Sequence, residues 1–347
     1  MIYLFYFFSV VLILLSYKSL RGGIEYLDYF RRELAKPKSD FTPFVSIIAP
    51  CRGVDDGLET NLEKLFTQNF PVYEVIFVVD EEKDEAVKII KNVSRRGAES
   101  AESKLVIAGK AENEGQKVYN LREAVLNVSE KSEVFVFVDS DARPNENWLR
   151  NLIAPLHDEK IGCSTGYRWF ISEQRNFASE MLSVWNASIA SSLGANLKSN
   201  FCWGGSMALR RETFEKVKMR ERLKGTLSDD FTITRTMNEF GLPIFFVPQA
   251  LTVSVENCSL KKLFEFTTRQ MKITRVYAPH LWKASFIGSF LFNFVLIWAF
   301  FIIGFYTFKS FPFWFAVFTI LTVSTFSIDK SALRLKAVEL VLKDHQA

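Results

Sequence analysis

The chain has 347 residues, of which 48% are hydrophobic and 24% are charged, and its formal net charge is +4. This mixture excludes a protein embedded wholly in lipid and is typical of a soluble domain joined to membrane segments. The small positive charge is concentrated beside the apolar stretches, which favours anionic lipid headgroups over nucleic acid as a partner.

Three stretches without a charged residue are long enough to cross a bilayer, for which roughly 20 apolar residues are needed. They cover residues 1–17, 284–308 and 311–328. We expect one membrane helix over 1–20 and a hairpin of two over 284–328. Lysines and arginines follow the first stretch and precede the second, which indicates that the large region between them faces the cytosol.

That middle region begins with short apolar runs separated by helical patterns. Predicted strands cover residues 44–49, 73–79, 104–108 and 134–138. This alternation is typical of βαβ units and a largely parallel sheet, and right-handed crossovers bring the carboxyl ends of such strands to one rim. We therefore expect one crevice to collect the polar residues near these ends, namely Arg52, Asp55, Asp80, Lys117, Asp139 and Asp141.

The strand over 134–138 carries the most informative signal. Its five apolar residues read as a strand buried on both faces, and Asp139 and Asp141 follow at the edge where open α/β sheets bind ligands. Two carboxylates one residue apart can share Mg²⁺ or Mn²⁺, which prefer oxygen ligands. The alternative is that these acids only cap the helix that begins near Asn147.

The second half of the middle region is less regular. A strand is predicted over 161–166, a helix over 178–193, and a glycine-bearing loop over 200–206 that runs into another strand. A further helix begins near Asp229 and Asp230, where acidic residues suit the helix N-terminus. Capping explains one acid there more readily than two, so Asp230 is also a candidate general base.

Several weak motifs occur in a specific order along the chain. They are Pro50 to Gly53, Val79-Asp80, Gly115 to Leu121, Asp139-Ser-Asp141, Gly204 to Ser206, Asp229-Asp230 and Arg269 to Lys272. Together they resemble the family 2 inverting glycosyltransferases, and within these the ceramide glucosyltransferase-like group with its bacterial lipid relatives. The resemblance implies a GT-A fold, an α/β Rossmann-like fold with a mostly parallel sheet, between N-terminal and C-terminal transmembrane helices.

The resemblance also implies roles for individual residues. Donor binding falls to Pro50, Arg52, Asp80, Lys117, Asn120 and Asp139, and Asp139 with Asp141 forms the DxD pair that holds Mg²⁺ or Mn²⁺ on the diphosphate. The catalytic set comprises the base Asp230, Asp229 in place of the usual Glu, and Arg269 with Lys272 facing the departing diphosphate. Acceptor binding falls to Trp203, Gly205 and Ser206.

The chain departs from the family's (R/Q)xxRW signature, which would begin at Arg269. Lys272 stands in place of the second Arg and Ile273 in place of the Trp, and Lys lacks the bidentate fork of Arg. The missing Trp and the few membrane helices count against processive synthesis. The same segment is also typical of a basic amphipathic helix that rests on lipid headgroups.

The run from Tyr167 to Phe170 has two interpretations of equal weight. Its side chains either line the acceptor or donor pocket or are aromatic residues of the core.

The function that the resemblance implies is metal-dependent transfer of one sugar, with inversion, from a UDP-hexose to a membrane lipid such as ceramide. The enzyme would be an integral protein of a bacterial inner membrane with a cytosolic catalytic domain. Its expected parts are a transmembrane helix (1–20), a juxtamembrane linker (21–42), the catalytic domain (43–257), an amphipathic interfacial segment (258–283), the membrane hairpin (284–328) and a cytosolic tail (329–347).

Three other functions remain open at this point. A processive polysaccharide synthase would share the fold, and a non-catalytic membrane scaffold that binds nucleotide sugars would share the donor pocket. A dinucleotide-dependent oxidoreductase would share the sheet pattern, but the first strand-to-helix turn lacks the GxGxxG that close approach to a pyrophosphate needs.

Overall fold

The computed structural model describes residues 2–172 and 176–342, so Met1 and the last five residues of the expected tail lie outside the described residues. The chain divides into two compact units. The sheet unit is built mainly from Glu33–Glu265, and the helical unit comprises Met1–Arg32 and Phe266–Leu340.

The elements are numbered in chain order. The α-helices are α1 (Ile2–Leu34), α2 (Leu58–Glu63), α3 (Ala86–Gly97), α4 (Gln116–Ala124), α5 (Trp148–Ile153), α6 (Phe177–Ala190), α7 (Arg211–Lys216), α8 (Met219–Leu223), α9 (Asp229–Glu239), α10 (Leu260–Tyr277), α11 (Pro279–Phe305) and α12 (Phe311–Leu342). The strands are β1 (Val45–Pro50), β2 (Tyr73–Val79), β3 (Glu102–Ile107), β4 (Val134–Val138), β5 (Cys163–Thr165), β6 (Arg168–Ile171), β7 (Ser206–Arg210), β8 (Ile244–Phe246) and β9 (Thr252–Val255). Short 3-10 helices cover Lys64–Phe66, Ala154–His157 and Pro248–Ala250.

Three helices, α1, α11 and α12, are long and apolar enough to cross a membrane. Helix α1 has 33 residues, which at about 1.5 Å per residue is longer than the roughly 30 Å hydrocarbon core. The helix extends through residues 21–34, which belong to the segment expected to be a juxtamembrane linker. Helix α12 likewise continues beyond residue 328 to Leu342, so the described part of the expected tail is helical.

Apolar packing joins these three helices within the helical unit. Phe5 and Leu12 of α1 are buried in one cluster with Val295 and Ala299 of α11 and Val323 of α12. Side chains of this kind contribute van der Waals packing, which is the main source of association between helices where the surrounding lipid is equally apolar.

The sheet unit is built on a seven-stranded sheet in the order β3-β2-β1-β4-β7-β5-β8. Strands β3, β2, β1 and β4 are parallel to one another, and β5 is parallel to β8. Strand β7 is antiparallel to both of its neighbours. The predicted α/β fold with a mostly parallel sheet is therefore confirmed.

Both faces of this sheet are covered by apolar packing. In β1, Ile47 packs into the cluster on one face with Val75 of β2, whereas Ile48 packs into the cluster on the other face with Ile76. This division follows from the period of two in a β-strand. All five residues of β4 are buried, as their uninterrupted apolar run predicts.

A second, two-stranded sheet pairs β6 with β9 in parallel. The backbone N–H of Arg143, just after β4, donates to the carbonyl of Val253 in β9 over 2.9 Å. Tyr167 and Phe170 are buried, and Arg168 between them is only partly covered. The small sheet therefore stands beside the carboxyl end of β4.

The turn from β5 into β6 depends on a glycine. A Cβ atom on Gly166 would lie 2.1 Å from the carbonyl oxygen of Ala250 and 2.6 Å from the hydroxyl oxygen of Ser206. The first neighbour is backbone and cannot rotate away. A Cβ atom on Gly194, in contrast, would meet no other atom within 4 Å, so that position is a matched control.

We expect Gly166→Ala to destabilise the sheet unit by about 1–3 kcal/mol, the usual cost of overpacking a filled site. The measurement is the midpoint of thermal unfolding, followed by near-ultraviolet circular dichroism of the purified chain in detergent. Gly194→Ala should leave the midpoint near that of the parent. Equal midpoints for the two variants would contradict the packing described for Gly166.

Candidate active site

The candidate site lies at the edge of the sheet where β1, β2 and β4 end. Antiparallel β7 brings its first residue to the same edge, because Ser206 pairs with Val138 at the end of β4. Strand β5 in turn pairs Thr165 with Met207. This register places two further segments at the edge of the sheet where Asp139 lies. They are the glycine loop before β7 and the chain that enters β6.

The loops after β1 and β2 are held together by a carboxylate that sequence reasoning missed. Asp84 accepts hydrogen bonds from the backbone N–H of Gly53 at 2.9 Å and of Ala86 at 2.8 Å. Gly53 has a φ of +61°, which favours glycine. Of the expected donor-binding residues here, Asp80 is buried, Pro50 ends β1 and is half-buried, and Arg52 in the loop after β1 is exposed.

Lys117 occupies the centre of the site. Its Nζ lies 2.7 Å from Oδ1 of Asp139 and 3.1 Å from Oδ2 of Asp229. Burial acts to lower the pKa of Lys117, but the two carboxylates outweigh burial and raise it above its ordinary value. The side chain therefore stays charged and joins three elements, α4, the end of β4 and the start of α9.

The local chain path explains why Lys117 reaches Asp229. The backbone N–H of Gly115, at the start of α4, donates to the carbonyl of Thr226 over 2.8 Å, which fixes α4 beside the segment leading into α9. Asn120, also expected to bind the donor, is buried and accepts a hydrogen bond from the amide of Gln116 at 2.8 Å. Gln116 also donates to the carbonyl of Gly109, so Asn120 supports the loop after β3.

The two acids of the DxD pair have different partners. Asp139 pairs with Lys117, whereas Oδ2 of Asp141 accepts from Nη1 of Arg168 at 3.0 Å. Burial acts to raise the pKa of Asp139, but Lys117 lowers it below its ordinary value. Burial raises the pKa of Asp141, with Arg168 opposing that rise and the charge of Asp139 adding to it.

These two acids fit a divalent cation by their chemistry. Oδ1 of Asp141 is buried and has no hydrogen-bond partner among the described residues. Carboxylate oxygens are the ligands that Mg²⁺ and Mn²⁺ prefer. Across residues 2–172 and 176–342, no cluster of three or more His, Cys, Asp or Glu side chains could hold a metal. Asp139 and Asp141 are the two residues that would hold such an ion.

Asp230 lies at the N-terminus of α9, and its Oδ1 accepts two hydrogen bonds. Its Oδ1 accepts from the hydroxyl of Ser228 and from the backbone N–H of Phe231, the latter at 2.7 Å. Burial and the charge of Asp229 raise the pKa of Asp230 to about 6. A carboxylate with this pKa is a suitable proton acceptor near neutral pH.

The glycine loop packs against the charged cluster. A Cβ on Gly204 would lie 2.1 Å from Oδ2 of Asp229 and 2.8 Å from Nζ of Lys117. A Cβ on Gly205 would lie 2.7 Å from Oδ2 of Asp139. Only glycine lets this loop approach so closely, and the spacing of Gly204 and Gly205 before a strand was the sequence signal for it.

The other two expected acceptor-binding residues are covered by protein. Ser206 is fully buried, and its hydroxyl accepts from Nε1 of Trp148 at 2.8 Å and donates to the carbonyl of Ala250 at 3.1 Å. Trp203 is also buried, with its ring centroid 5.5 Å from that of Tyr167. Both side chains thus shape the floor of the site.

Arg168 is a second site residue, besides Asp84, that the sequence alone did not single out. Its guanidinium lies 4.6 Å from the ring centroid of Phe170 and 5.6 Å from that of Trp203, while it pairs with Asp141. Of this run, Tyr167 and Phe170 are buried and Trp169 is half-buried, whereas Arg168 contacts the acids. A lone arginine in an aromatic run was the available signal.

Arg269 and Lys272 belong to the helical unit, on α10. The Arg269 guanidinium lies 5.5 Å from the ring centroid of Phe266. Lys272 lines a cavity of about 280 Å³ together with Thr268, Arg275 and Trp282. The guanidinium of Arg275 lies 5.2 Å from the Trp282 ring, a cation–π contact.

The chain resembles known proteins along most of its length. The model of Glycosyl transferase family 21 matches residues 3–342. Ceramide glucosyltransferase 1 of Caenorhabditis elegans is 20% identical over 242 residues, which cover 69% of this chain and 51% of that protein. Ceramide glucosyltransferase 3 of the same organism is 22% identical over 272 residues, covering 75% and 56%. The chain thus spans about half the length of these curated relatives.

A solved structure supports the fold. The mannosyltransferase PcManGT from Pyrobaculum calidifontis, in complex with GDP-Man and Mn²⁺, superposes with a TM-score of 0.54 at 17% identity, covering 97% of this chain and 99% of that one. This likeness confirms the GT-A architecture. Because the family model matches nearly the whole chain, the resemblance to the ceramide glucosyltransferase-like group is confirmed, and the chain belongs to glycosyl transferase family 21, a GT-A group similar to family 2.

Proposed function

We propose that this protein is an inverting glycosyltransferase of the ceramide glucosyltransferase type, which moves one hexose from a UDP-hexose to a membrane lipid. The observation that carries the proposal is the cluster in which Lys117 joins Asp139 to Asp229 beside Asp230. The family membership and the names of the two curated relatives support a lipid acceptor.

The donor diphosphate would meet the basic side chains and the DxD acids at the strand edge. Lys117 and Arg168 offer positive charge beside Asp139 and Asp141. A divalent ion, when bound by these two acids, supplies charge that makes a diphosphate a better leaving group, an effect of several kcal/mol in order of magnitude. Asp80, buried after β2, is our candidate for the nucleoside contact.

The remaining step is proton removal from the acceptor. In our proposal the lipid hydroxyl oxygen attacks the anomeric carbon, the bond from that carbon to the diphosphate oxygen breaks, and Asp230 takes the hydroxyl proton. Lys117 pairs with Asp229 at 3.1 Å and thereby offsets part of the negative charge beside Asp230. Arg269 and Lys272 are proposed to stabilise the departing diphosphate.

The same proposal covers the cellular setting. Three helices that are long and apolar enough to cross a membrane support an integral membrane protein. We propose that the sheet unit is the catalytic domain, that it faces the cytosol, and that the membrane is a bacterial inner membrane. The basic residues that flank the apolar stretches support this orientation.

Transfer can be tested with membranes that contain the full chain, incubated with several radiolabelled UDP-sugars and Mn²⁺. We expect label to enter extracted lipid as a single added sugar, and a chelator to abolish incorporation. A ladder of products would instead favour the processive alternative. Incorporation that is indifferent to the chelator would contradict the role of Asp139 and Asp141, and no incorporation from any donor would favour a scaffold.

Asp230→Asn should lower kcat by about 10²–10⁴-fold, the usual contribution of a general base. Asp56→Asn, at an exposed position, is the matched control and should retain activity.

In the parent, kcat/KM should fall about tenfold per pH unit below the pKa of about 6, because protonated Asp230 cannot accept the proton. This acid limb should be absent from the residual activity of Asp230→Asn. Unchanged turnover of that variant would contradict the mechanism.

Arg168→Gln tests the charge balance of the DxD pair without measuring turnover. Loss of a charged hydrogen bond should destabilise the sheet unit by about 1.5–3 kcal/mol, and Mn²⁺ should raise the unfolding midpoint more than it does in the parent, because the ion replaces the missing charge. Arg235→Gln, which removes an exposed pair with Glu239, is the control. Equal midpoints for Arg168→Gln and the parent, with and without Mn²⁺, would contradict the assigned contact.

A further inference from the structure

Helix α6 presents an apolar face to the outside of the sheet unit. Phe177, Met181 and Val184 are 72%, 42% and 61% exposed, and Ser188 beyond them is also exposed. At about 100° per residue these four positions fall in one narrow line along the helix. We call this line the α6 stripe. Its helix carries a single charged residue, Glu180.

The opposite face of α6 is already occupied by the sheet unit. Leu182 and Asn186 are buried, and the amide of Asn186 donates to the carbonyl of Arg168 at 2.9 Å. The hydroxyl of Ser183 donates to the carbonyl of Phe170 at 3.2 Å. The helix therefore has a fixed rotation on β6, and the α6 stripe cannot turn inward.

A helix that is apolar on both sides normally has a partner on each. Isolated exposed apolar side chains are common on soluble proteins, but aligned ones mark an interaction surface. The neighbouring start of α10 indicates which kind of partner this surface contacts.

Helix α6, through its buried side, is connected to the segment that leads into α10. The hydroxyl of Ser179 in α6 accepts from the backbone N–H of Cys258 at 2.9 Å, two residues before α10 begins. The first turns of α10 expose Leu260 by 64% and Phe264 by 72%, with the exposed Lys261 between them. Apolar side chains beside lysine are typical of a helix at a bilayer surface.

The chain then continues from α10 to a membrane segment. Helix α10 ends at Tyr277, and α11, which is apolar enough to cross a membrane, begins at Pro279. The chain that contacts α6 at Cys258 thus leads, through α10, into a helix apolar enough to cross a membrane. Lys261 and Lys262 supply the charge that anionic headgroups attract.

We infer that the α6 stripe is a membrane-docking surface, which inserts Phe177, Met181 and Val184 into the boundary between headgroups and acyl chains. This contact is independent of the sugar donor. It has a consequence for the site, because α6 holds the strand that carries Arg168 to Asp141. Docking would keep that edge of the sheet near the surface where a lipid hydroxyl is found.

The docking surface can be tested by spin-label accessibility on the full chain in nanodiscs of phosphatidylcholine and phosphatidylglycerol. All four native cysteines are buried, so a label should react with one introduced cysteine, and the labelled parent supplies the blank. The stripe variants are Phe177→Cys, Met181→Cys, Val184→Cys and Ser188→Cys. Lys91→Cys on α3, an exposed position of the same unit, is the control.

We expect labels on the α6 stripe to collide more often with oxygen, which concentrates in lipid, than with a water-soluble nickel chelate. At Lys91→Cys the ratio should be reversed. Nickel collisions that dominate on the stripe as well would show a water-exposed face and overturn the inference. Loss of both kinds of collision would show that protein, such as a second copy of the chain, covers the stripe, and would also overturn it.

A second measurement needs no substitution. Nanodiscs that contain a phospholipid with a diazirine on its acyl chain are illuminated with the unmodified protein, and the modified peptides are identified by mass spectrometry. Peptides of α6 should be modified in preference to peptides of α3. Equal modification of the two helices would overturn the inference even if a labelled variant failed to fold.

Discussion

The candidate site depends on one ammonium group shared between two carboxylates. Lys117 lies between Asp139, at the end of β4, and Asp229, at the start of α9, at 2.7 and 3.1 Å. Without it, two acids from distant parts of the chain would face each other at low exposure to solvent, and their repulsion would separate the elements that carry them. Gly204 is required by the same arrangement, because a side chain there would occupy the position of the Asp229 oxygen.

Much of the sheet could be predicted from local sequence. The strand expected over 73–79 is β2, residue for residue, and the run over 134–138 is β4. Uninterrupted apolar residues bounded by polar ones specify a strand buried on both faces, whatever else the chain does. The rule that such strands end at a ligand-binding edge then brought Lys117 and Asp139 into one predicted crevice, and the structure has them in contact.

Other features depend on contacts that local patterns do not encode. Arg168 and Asp141 are 27 positions apart, and the pairing of β5 with antiparallel β7 and of β6 with β9 brings them together. Glu74 interrupts an apolar strand, yet it is fully buried because Ser46 donates to it at 2.6 Å and Lys104 lies 3.1 Å away. The helical continuation of α1 through residues 21–34 also exceeds what its apolar stretch alone indicates.

The charge balance of the site has a consequence for how ligands enter it. Two cations, Lys117 and Arg168, stand against the four carboxyl groups of Asp139, Asp141, Asp229 and Asp230. A diphosphate arriving by itself would add negative charge to a cluster already rich in acids. A divalent ion would offset the repulsion between the diphosphate and these acids. Under the proposed function the ion and the diphosphate should therefore each strengthen the binding of the other by the same factor, as thermodynamic linkage requires. Neither affinity would then be a constant of the protein alone.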